Sequence, residues 1–326
     1  MGRQAGTRGL FAAFSGIVLL VGIALFGQLP GDNHLWIEIQ NTGHLPLFGV
    51  LAILVLFVLR ALLPGLRTRT AAGYLLSAGI SLAAGIGVEF GQQLTKKHSF
   101  DIGDVRFDLA GILLALAVYA IFDVRMKPAW HAWRPGLRPF VLVLSASLLL
   151  VLLAPLASHM FAYQQRDAAF PVIMDFSAGW SGPFLELRDA VLDPVMPART
   201  VAPPGGHHLA QLTLEAGRYP GITIVDPYPD WSGYKTLVVN IYSDMPWPDG
   251  LILRIHDRLH NNIQTDRFNR MLAIDKGMNH FRIPLAAIEA APAGRRMDLR
   301  HIAGLVLFAH PVQQSFKLYP GRIWLE

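Results

Sequence analysis

The chain has no cysteine, so it forms no disulfide framework and performs no thiolate chemistry, whatever compartment it occupies. It also lacks any motif that fixes a reaction type in the way a metalloprotease HExxH does. Charge is scarce in its first half. Residues 1–158 hold 12 Lys and Arg against 7 Asp and Glu, whereas 159–326 hold 16 against 16. The whole net charge of +5 therefore belongs to the first half, and a nucleic-acid reading of the high pI fails.

What the first half has is apolar sequence. The chain is 52% hydrophobic, and the excess is concentrated before residue 158. Five segments are apolar enough and about long enough to span a bilayer as helices: 10–29, 45–63, 71–92, 104–122 and 140–156. The first is longer than a signal-peptide core, no small-x-small cleavage site follows it, and more spans come after it, so it reads as a retained helix. Basic residues in short loops stay on the cytoplasmic side. Arg3, Arg8, Arg60, Arg67, Arg69, Arg125, Lys127, Arg134 and Arg138 all fall on one side; Lys96, Lys97 and Arg106 fall on the other, with Asp32 and Glu38. The N-terminus is then cytoplasmic and the region after the fifth span lies outside.

Between Gly87 and Gly111, Glu89, Gln92, Asp101, Asp104 and Asp108 interrupt two apolar segments where they meet. Ionisable groups at membrane depth are expensive, which makes such a cluster a functional-site candidate. Glu89 and Gln92 share a helix face, and Asp101, Asp104 and Asp108 fall at i, i+3 and i+7 on one face of the next helix. Asp101 and Asp104 also have the spacing of helix caps, a structural alternative. Asp108 is too deep for capping. Gly87 and Gly91, with Ser81 and Gly85 below, give a small-xxx-small pattern for close helix approach. His44 is expected at the outer start of the second helix, with Pro46 in its first turn.

These residues resemble the VanZ-like membrane proteins over about 35–125. The resemblance rests on His44 followed by Phe48, on Val88, Glu89 and Gln92, and on Asp104, Asp108 and Gly111 after a short outer loop. Two positions depart from the family: its usual Asn is Asp108 here, and its usual Arg falls at His98, beside Lys96 and Lys97. The resemblance implies an association with glycopeptide (teicoplanin) resistance without a settled activity.

Two chemistries fit such a set on the outer face. Glu89, Asp104 and Asp108 are candidates to hold a divalent cation that clamps a phosphate. Alternatively, Glu89 and His44 act as general base and acid around a lipid headgroup, with Lys96, Lys97, His98 and Arg106 attracting its phosphate. Both point to a phosphorylated lipid carrier or glycolipid. Structural ion pairing, such as Glu89 with Lys96 or Arg106, is the alternative to either.

After Pro155 the sequence becomes charge-balanced, with short apolar runs between Gly, Pro, Asp and Asn turns. Runs at 209–214, 221–225, 236–241, 251–255, 280–283, 302–308 and 323–325 read as strands at the spacing of an all-β sandwich. Residues 159–169 are expected as a membrane-proximal linker. The stretch 229–234, the segments Ile255-His256-Asp257 and Asp266-Arg267-Phe268-Asn269, and the closing run from Tyr319 to Leu325 resemble galactose-binding-like jelly rolls used as carbohydrate-binding domains, over about 165–326. Sugar binding needs an exposed aromatic face with polar groups around it. Trp180, Trp231, Tyr234 and Trp247 are the aromatic candidates; His256, Asp257, Arg258, His260 and Arg267 are the polar ones. Against this stand Trp231 and Tyr234 as core residues, and Asp257 with Arg267 as a buried structural pair.

The sequence thus predicts an α-helical membrane domain of five transmembrane helices (1–158), a linker (159–169) and an extracytoplasmic all-β sandwich of jelly-roll type (170–326). It predicts a multi-pass protein of the bacterial inner membrane that binds or processes an envelope glycan or lipid-linked glycan. The alternative is a non-enzymatic accessory or anchor among envelope-assembly proteins.

Overall fold

The computed structural model describes residues 2–27, 29, 31, 33–94, 102–132, 136–193 and 209–326. The chain divides into two units, Met1–Ser158 and His159–Glu326.

The first unit contains α1 (Gly2–Phe26), α2 (His34–Leu62), α3 (Thr70–Leu94), α4 (Ile102–Phe122), the short α5 (Lys127–Ala132) and the first part of α6 (Leu137–Ala169). Five of these helices, all but α5, are long and apolar enough to cross a membrane. Their outer faces are apolar as well: Phe11, Leu75 and Leu150 are each 70% exposed or more, as expected of side chains meant for lipid.

Helix α2 starts earlier than the sequence reading places it. Asn33 caps it, its side-chain oxygen accepting from the Trp36 N–H at 3.0 Å. His44 therefore sits ten residues inside the helix, about 15 Å along its axis, and Pro46 is an interior proline. The apolar-run criterion misplaced the start because the first turns of α2 mix Glu38, Gln40 and Asn41 with apolar residues.

Small residues let these helices meet. A Cβ on Gly111 of α4 would lie 2.2 Å from the Leu45 carbonyl oxygen of α2, and one on Gly49 of α2 would lie 3.0 Å from Ala115. The inner stripe of α3 is Gly73, Ser77, Ser81, Gly85 and Glu89, recurring every fourth residue. Ser77 on that stripe donates to the Ala52 carbonyl at 2.6 Å. Of the pair singled out from sequence, Gly87 faces open space, while a Cβ on Gly91 would press on Leu25 of α1.

The second unit is built of two antiparallel sheets. The strands are β1 (Val172–Asp175), β2 (Leu185–Arg188), β3 (Ala190–Asp193), β4 (Gln211–Leu214), β5 (Gly221–Val225), β6 (Thr236–Ser243), β7 (Trp247–Asp257), β8 (Phe268–Ile274), β9 (Gly277–Pro284), β10 (Ile302–Phe308) and β11 (Phe316–Leu325). One sheet has the order β3-β4-β11-β6-β9, with β1 also pairing β11; the other runs β2-β5-β10-β7-β8. Inward rows such as Leu237, Val239 and Ile241 on β6 and Leu253 and Ile255 on β7 are fully buried. Their neighbours one residue on therefore point outward.

Residues 159–169, expected as a linker, are the last turns of α6 and belong to the second unit. They are fastened there: the Tyr163 hydroxyl donates to Asp226 at 2.7 Å, and Arg166 donates to the Asp226 carbonyl at 2.7 Å. Tyr163 also packs on Phe184, ring centroids 4.9 Å apart.

Candidate functional site

In the helical unit, α2, α3 and α4 bring His44, Glu89, Asp104 and Asp108 into the interior, each less than a tenth exposed. Asp104, Asp108 and Gly111 occupy one face of α4, which is the face turned toward α2. The Asp108 Oδ1 is 2.7 Å from His44 Nδ1. A carboxylate can only accept, so the imidazole donates its Nδ1–H to Asp108 and directs Nε2 away from it. That Nε2 lies 3.9 Å from Asp104 Oδ2, beyond hydrogen-bond length. The ring is stacked on Phe48, with centroids 5.9 Å apart and planes 13° from parallel. The other Asp108 oxygen lies against Gly85, where a Cβ would come within 2.4 Å. Gly85 is thus required by the carboxylate.

His44 opens onto a cavity of about 340 Å³ between α1, α2 and α3, whose other polar side chains are Gln40 and Gln92. A second, almost wholly apolar groove of about 560 Å³ lies between α2, α4 and α6 and shares Ile39 and Gly43 with the first. A mainly apolar pocket carrying His44, Gln40 and Gln92, next to an almost wholly apolar groove, offers an amphiphile a few polar contacts beside room for its chain.

The other sequence candidates are dispersed. Gln92 donates to the Ala24 carbonyl at 2.8 Å, tying α3 to α1 as well as lining the cavity. Arg106 is exposed, on the face of α4 away from Asp104 and Asp108. Lys96, Lys97, His98 and Asp101 lie outside the described residues. Among the described residues no three His, Asp or Glu side chains are grouped to hold a metal ion, so the cation reading of Glu89, Asp104 and Asp108 gains no support from geometry.

A second ionic cluster went unnoticed in the sequence. At the far end of α2, Arg60 pairs with Asp123 at 2.7 Å, and the Tyr74 hydroxyl donates to the same carboxylate at 3.0 Å. Sixteen residues of α2 separate His44 from Arg60, about 24 Å of helix, which approaches the thickness of a hydrocarbon core. The signal was available: Asp123 follows a long apolar run directly and is 5% exposed.

In the β unit, Trp231 is fully buried and its indole N–H donates to the Tyr228 carbonyl at 2.7 Å, so it has no face to offer a sugar. Tyr234 is half-buried, edge-on to Phe170 with centroids 5.3 Å apart. Trp180 and Trp247 are half-buried and lean on Phe184 and Phe316. Asp257 is buried, and its partner is Arg295 rather than Arg267: Arg295 holds both Asp257 oxygens, at 2.6 and 2.8 Å, and also holds Asp266. Burial acts to raise the Asp257 pKa, but the bonds from Arg295 and from the Asp298 N–H overcome it and hold the carboxyl below its usual range. Arg295 also lowers Asp266, to about 2. This is a brace for the β7–β8 loop.

The aromatic face that sequence reasoning missed is on the other sheet. Val238, Asn240 and Tyr242 form the outward row of β6, and Tyr242 pairs in register with Tyr319 of β11, ring centroids 5.8 Å apart. Asn240 Oδ1 lies 2.7 Å from His280 Nδ1 on β9. Asp244 reaches both tyrosines, adding to burial in raising their pKa values. Tyr242 is half-buried and Asp244 and His280 are exposed, whereas Tyr319 and Asn240 are each 5% exposed, so the part open to a saccharide is the Tyr242 ring with an imidazole and a carboxylate beside it. The signal in the sequence was the alternation in Val238–Tyr242, masked because β6 is apolar on both faces.

No family model matches the chain, and no curated protein sequence matches it. Among solved structures, the C-terminal part is similar to a family 11 carbohydrate-binding module from Clostridium thermocellum, solved with a β-1,3-1,4-mixed-linked tetrasaccharide; identity is 15%, coverage is 47% of this chain and 93% of that one, and the TM-score is 0.36. It is also similar to an exo-β-agarase, with 17% identity, 48% and 24% coverage and a TM-score of 0.37. A third similar structure is the family 30 carbohydrate-binding module of the Clostridium thermocellum cellulase Cel9D-Cel44B, with 12% identity, 44% and 86% coverage and a TM-score of 0.31. Nothing about a ligand follows from matches this distant.

Proposed function

We propose that the chain is a multi-pass protein of the bacterial inner membrane, N-terminus cytoplasmic, that binds or processes a phosphorylated, lipid-linked glycan at the outer leaflet. The observation that carries this reading is the Asp108–His44 pair, buried in the helical unit and opening onto a cavity that adjoins an apolar groove. Asp108 fixes the imidazole so that Nε2 accepts or delivers a proton in the cavity, with Asp104 and Glu89 as neighbouring carboxyl groups. The groove takes the lipid chain and the cavity its headgroup. A VanZ-like relationship, carried by the motif residues alone, is part of this reading.

The β unit, on the outer side, then binds the glycan through Tyr242, backed by the buried Tyr319, with His280 and Asp244 exposed around it. Should the helical unit lack activity, the same tyrosine face favours the second reading, a membrane anchor for a glycan-binding module in an envelope assembly.

The test is the melting temperature of the detergent-purified protein with undecaprenyl phosphate, with and without divalent cation. Binding to the folded state raises the apparent melting temperature by mass action. A rise in the wild type that is lost in Asp108→Asn and in Glu89→Gln is the expected result. No rise in any of the three proteins rejects the lipid-phosphate site and leaves the β unit as the working part.

A further inference from the structure

Along β7, Leu253 and Ile255 are fully buried, which turns Ile252, Arg254 and His256 to the outer face of the five-stranded sheet. Arg254 is in register with Val306 of β10 and Asn269 of β8. Arg267, immediately before β8, lies close enough to Arg254 for the two charges to repel, which adds to burial in lowering the Arg254 pKa.

The neighbours supply no counter-charge. His260 Nδ1 is 2.8 Å from the Asp266 carbonyl and 3.5 Å from its carboxylate, and its Nε2 is 3.2 Å from Arg254 Nη2, so the ring donates toward Asp266 and accepts from Arg254. His256 lies across Gly304, where a Cβ would come within 2.5 Å of the ring. Burial, then Arg254, pushes its pKa down to about 4, so His256 is neutral and adds no counter-charge. The two nearby carboxylates, Asp257 and Asp266, are both clasped by Arg295. Among the described residues, the Nε of Arg254, the Nε of Arg267 and Nδ1 of His256 are shut off from solvent with no hydrogen-bond partner.

Two adjacent guanidinium groups, partly desolvated and lacking a carboxylate, are destabilising in the free protein, and each unmade hydrogen bond adds to the cost. Such arrangements concentrate where a ligand supplies the missing charge. We propose that this face, between β7 and β8, is an oxyanion subsite that takes a carboxylate of an acidic saccharide, held by Arg254 and Arg267. The guanidinium fork matches a planar carboxylate. Asn269 beside Arg254 is a neutral amide of the kind that reads sugar hydroxyls. The donors are recessed among strand residues, which suits a substituent on a narrow saccharide chain better than the broad surface of an anionic bilayer. The subsite deepens the glycan-binding reading of the β unit but is independent of Tyr242 and Tyr319, which lie on the other sheet.

The test is calorimetric titration of the full chain in detergent with short oligogalacturonate and oligomannuronate and with their methyl esters, at low salt. The expected result is that at least one free acid binds about tenfold or more tightly than its ester. That preference should vanish in the Arg254→Gln/Arg267→Gln double variant and persist in Tyr242→Ala. The double variant removes a repulsion, so its melting temperature without ligand should not fall, which separates loss of the site from loss of the fold. No binding of either acid, equal binding of acid and ester, or a preference that survives in the double variant overturns the subsite. Short-chain phosphatidylglycerol binding through the two arginines, without discrimination between acid and ester, overturns it in favour of a lipid surface. If Tyr242→Ala alone abolishes all saccharide binding, the tyrosine face stands and the subsite fails.

Discussion

The two units bury charge for different reasons. In the helical unit, buried ionisable groups are few and gathered at two levels of an otherwise apolar bundle: His44, Glu89, Asp104 and Asp108 at one, and Arg60 and Asp123 at the other. The second level pairs Arg60 with Asp123 and adds the Tyr74 hydroxyl, and neither the cavity nor the groove adjoins it. The first is open, because His44, held by Asp108, lines a cavity. In the β unit, Asp257 is as buried as Asp123 and is well paired by Arg295, which is itself a quarter exposed and also holds Asp266, and the three brace a loop. Burial of a charge therefore does not identify a site in either unit. What separates site from brace is whether the group, once its partners are counted, adjoins a cavity or an outer face that a ligand can reach, since a left-over donor alone is also found at Arg60.

The largest expected effects come from breaking the packing that brings the helical groups together. Gly111→Val places carbon where the Leu45 carbonyl oxygen stands, on the contact between α2 and α4. Overpacking a backbone contact of this kind costs on the order of 3 kcal/mol or more. Size-exclusion profiles in detergent should show the variant aggregated, and a monodisperse protein of wild-type stability would show that α2 and α4 do not pack through Gly111.

Arg295→Ala comes next. It leaves Asp257, 1% exposed, without its cation, and breaking a buried pair costs about 3–5 kcal/mol. Both Asp257 and Asp266 have lowered pKa values in the folded state. Their contribution is thus fully present above the ordinary carboxyl range, near pH 4, and is lost as pH falls through the folded values toward about 2. Denaturant midpoints of the β unit followed by tryptophan fluorescence should drop at pH 7 in the variant, and the gap from wild type should close by pH 2. A gap that stays constant with pH would mean the arginine acts by packing alone.

How much of this was legible depended on the background against which each residue stood. In the helical unit a single Asp in an apolar run is conspicuous, so His44, Glu89, Asp104 and Asp108 were identifiable from spacing. Their exact pairing was not, because Asn33 extends α2 backwards and carries His44 deeper than Pro46 suggests. In the β unit most strands were readable from apolar runs, but β1, β2, β3 and β8 were not. Strand β8 places the adjacent Asn269 and Arg270 after Phe268, which breaks its apolar run and hides the strand in the sequence. Polar and aromatic residues are common there, and only the partner count distinguishes Asp257, which is satisfied by Arg295, from Arg254, which is not satisfied. Trp231 looked like a sugar platform because aromatic residues beside turns serve both roles; its buried indole settles which.

Asp108→Asn sharpens the contrast without removing atoms. The amide still fits against Gly85 and still accepts from His44 Nδ1, so the stability change should stay within about 1–2 kcal/mol. A neutral amide no longer favours a proton passing through the imidazole, and response to undecaprenyl phosphate should be lost well before the fold is. If the response survives, His44 and Asp108 belong with Arg60 and Asp123 as a structural pair.

The smallest effect on stability and the cleanest on binding is expected at Tyr242. It is half-exposed on the outer row of β6, with Ile241 and Ser243 filling the core beside it. Replacing it by Ala removes a ring pair with Tyr319, worth about 0.5–1.5 kcal/mol, and creates no interior cavity. The melting temperature should therefore move by only a few degrees. Losing a stacking ring against a bound sugar should weaken neutral-oligosaccharide binding by about tenfold. Glycan-array titration of the wild type and Tyr242→Ala separates the two sheets of the β unit. Weaker binding of neutral glycans with the acidic preference intact assigns stacking to β6 and β11 and charge recognition to β7 and β8. Undiminished binding would move the saccharide away from Tyr242, where the ring pair with Tyr319 sits between Asn240 and His280 on one side and Asp244 on the other.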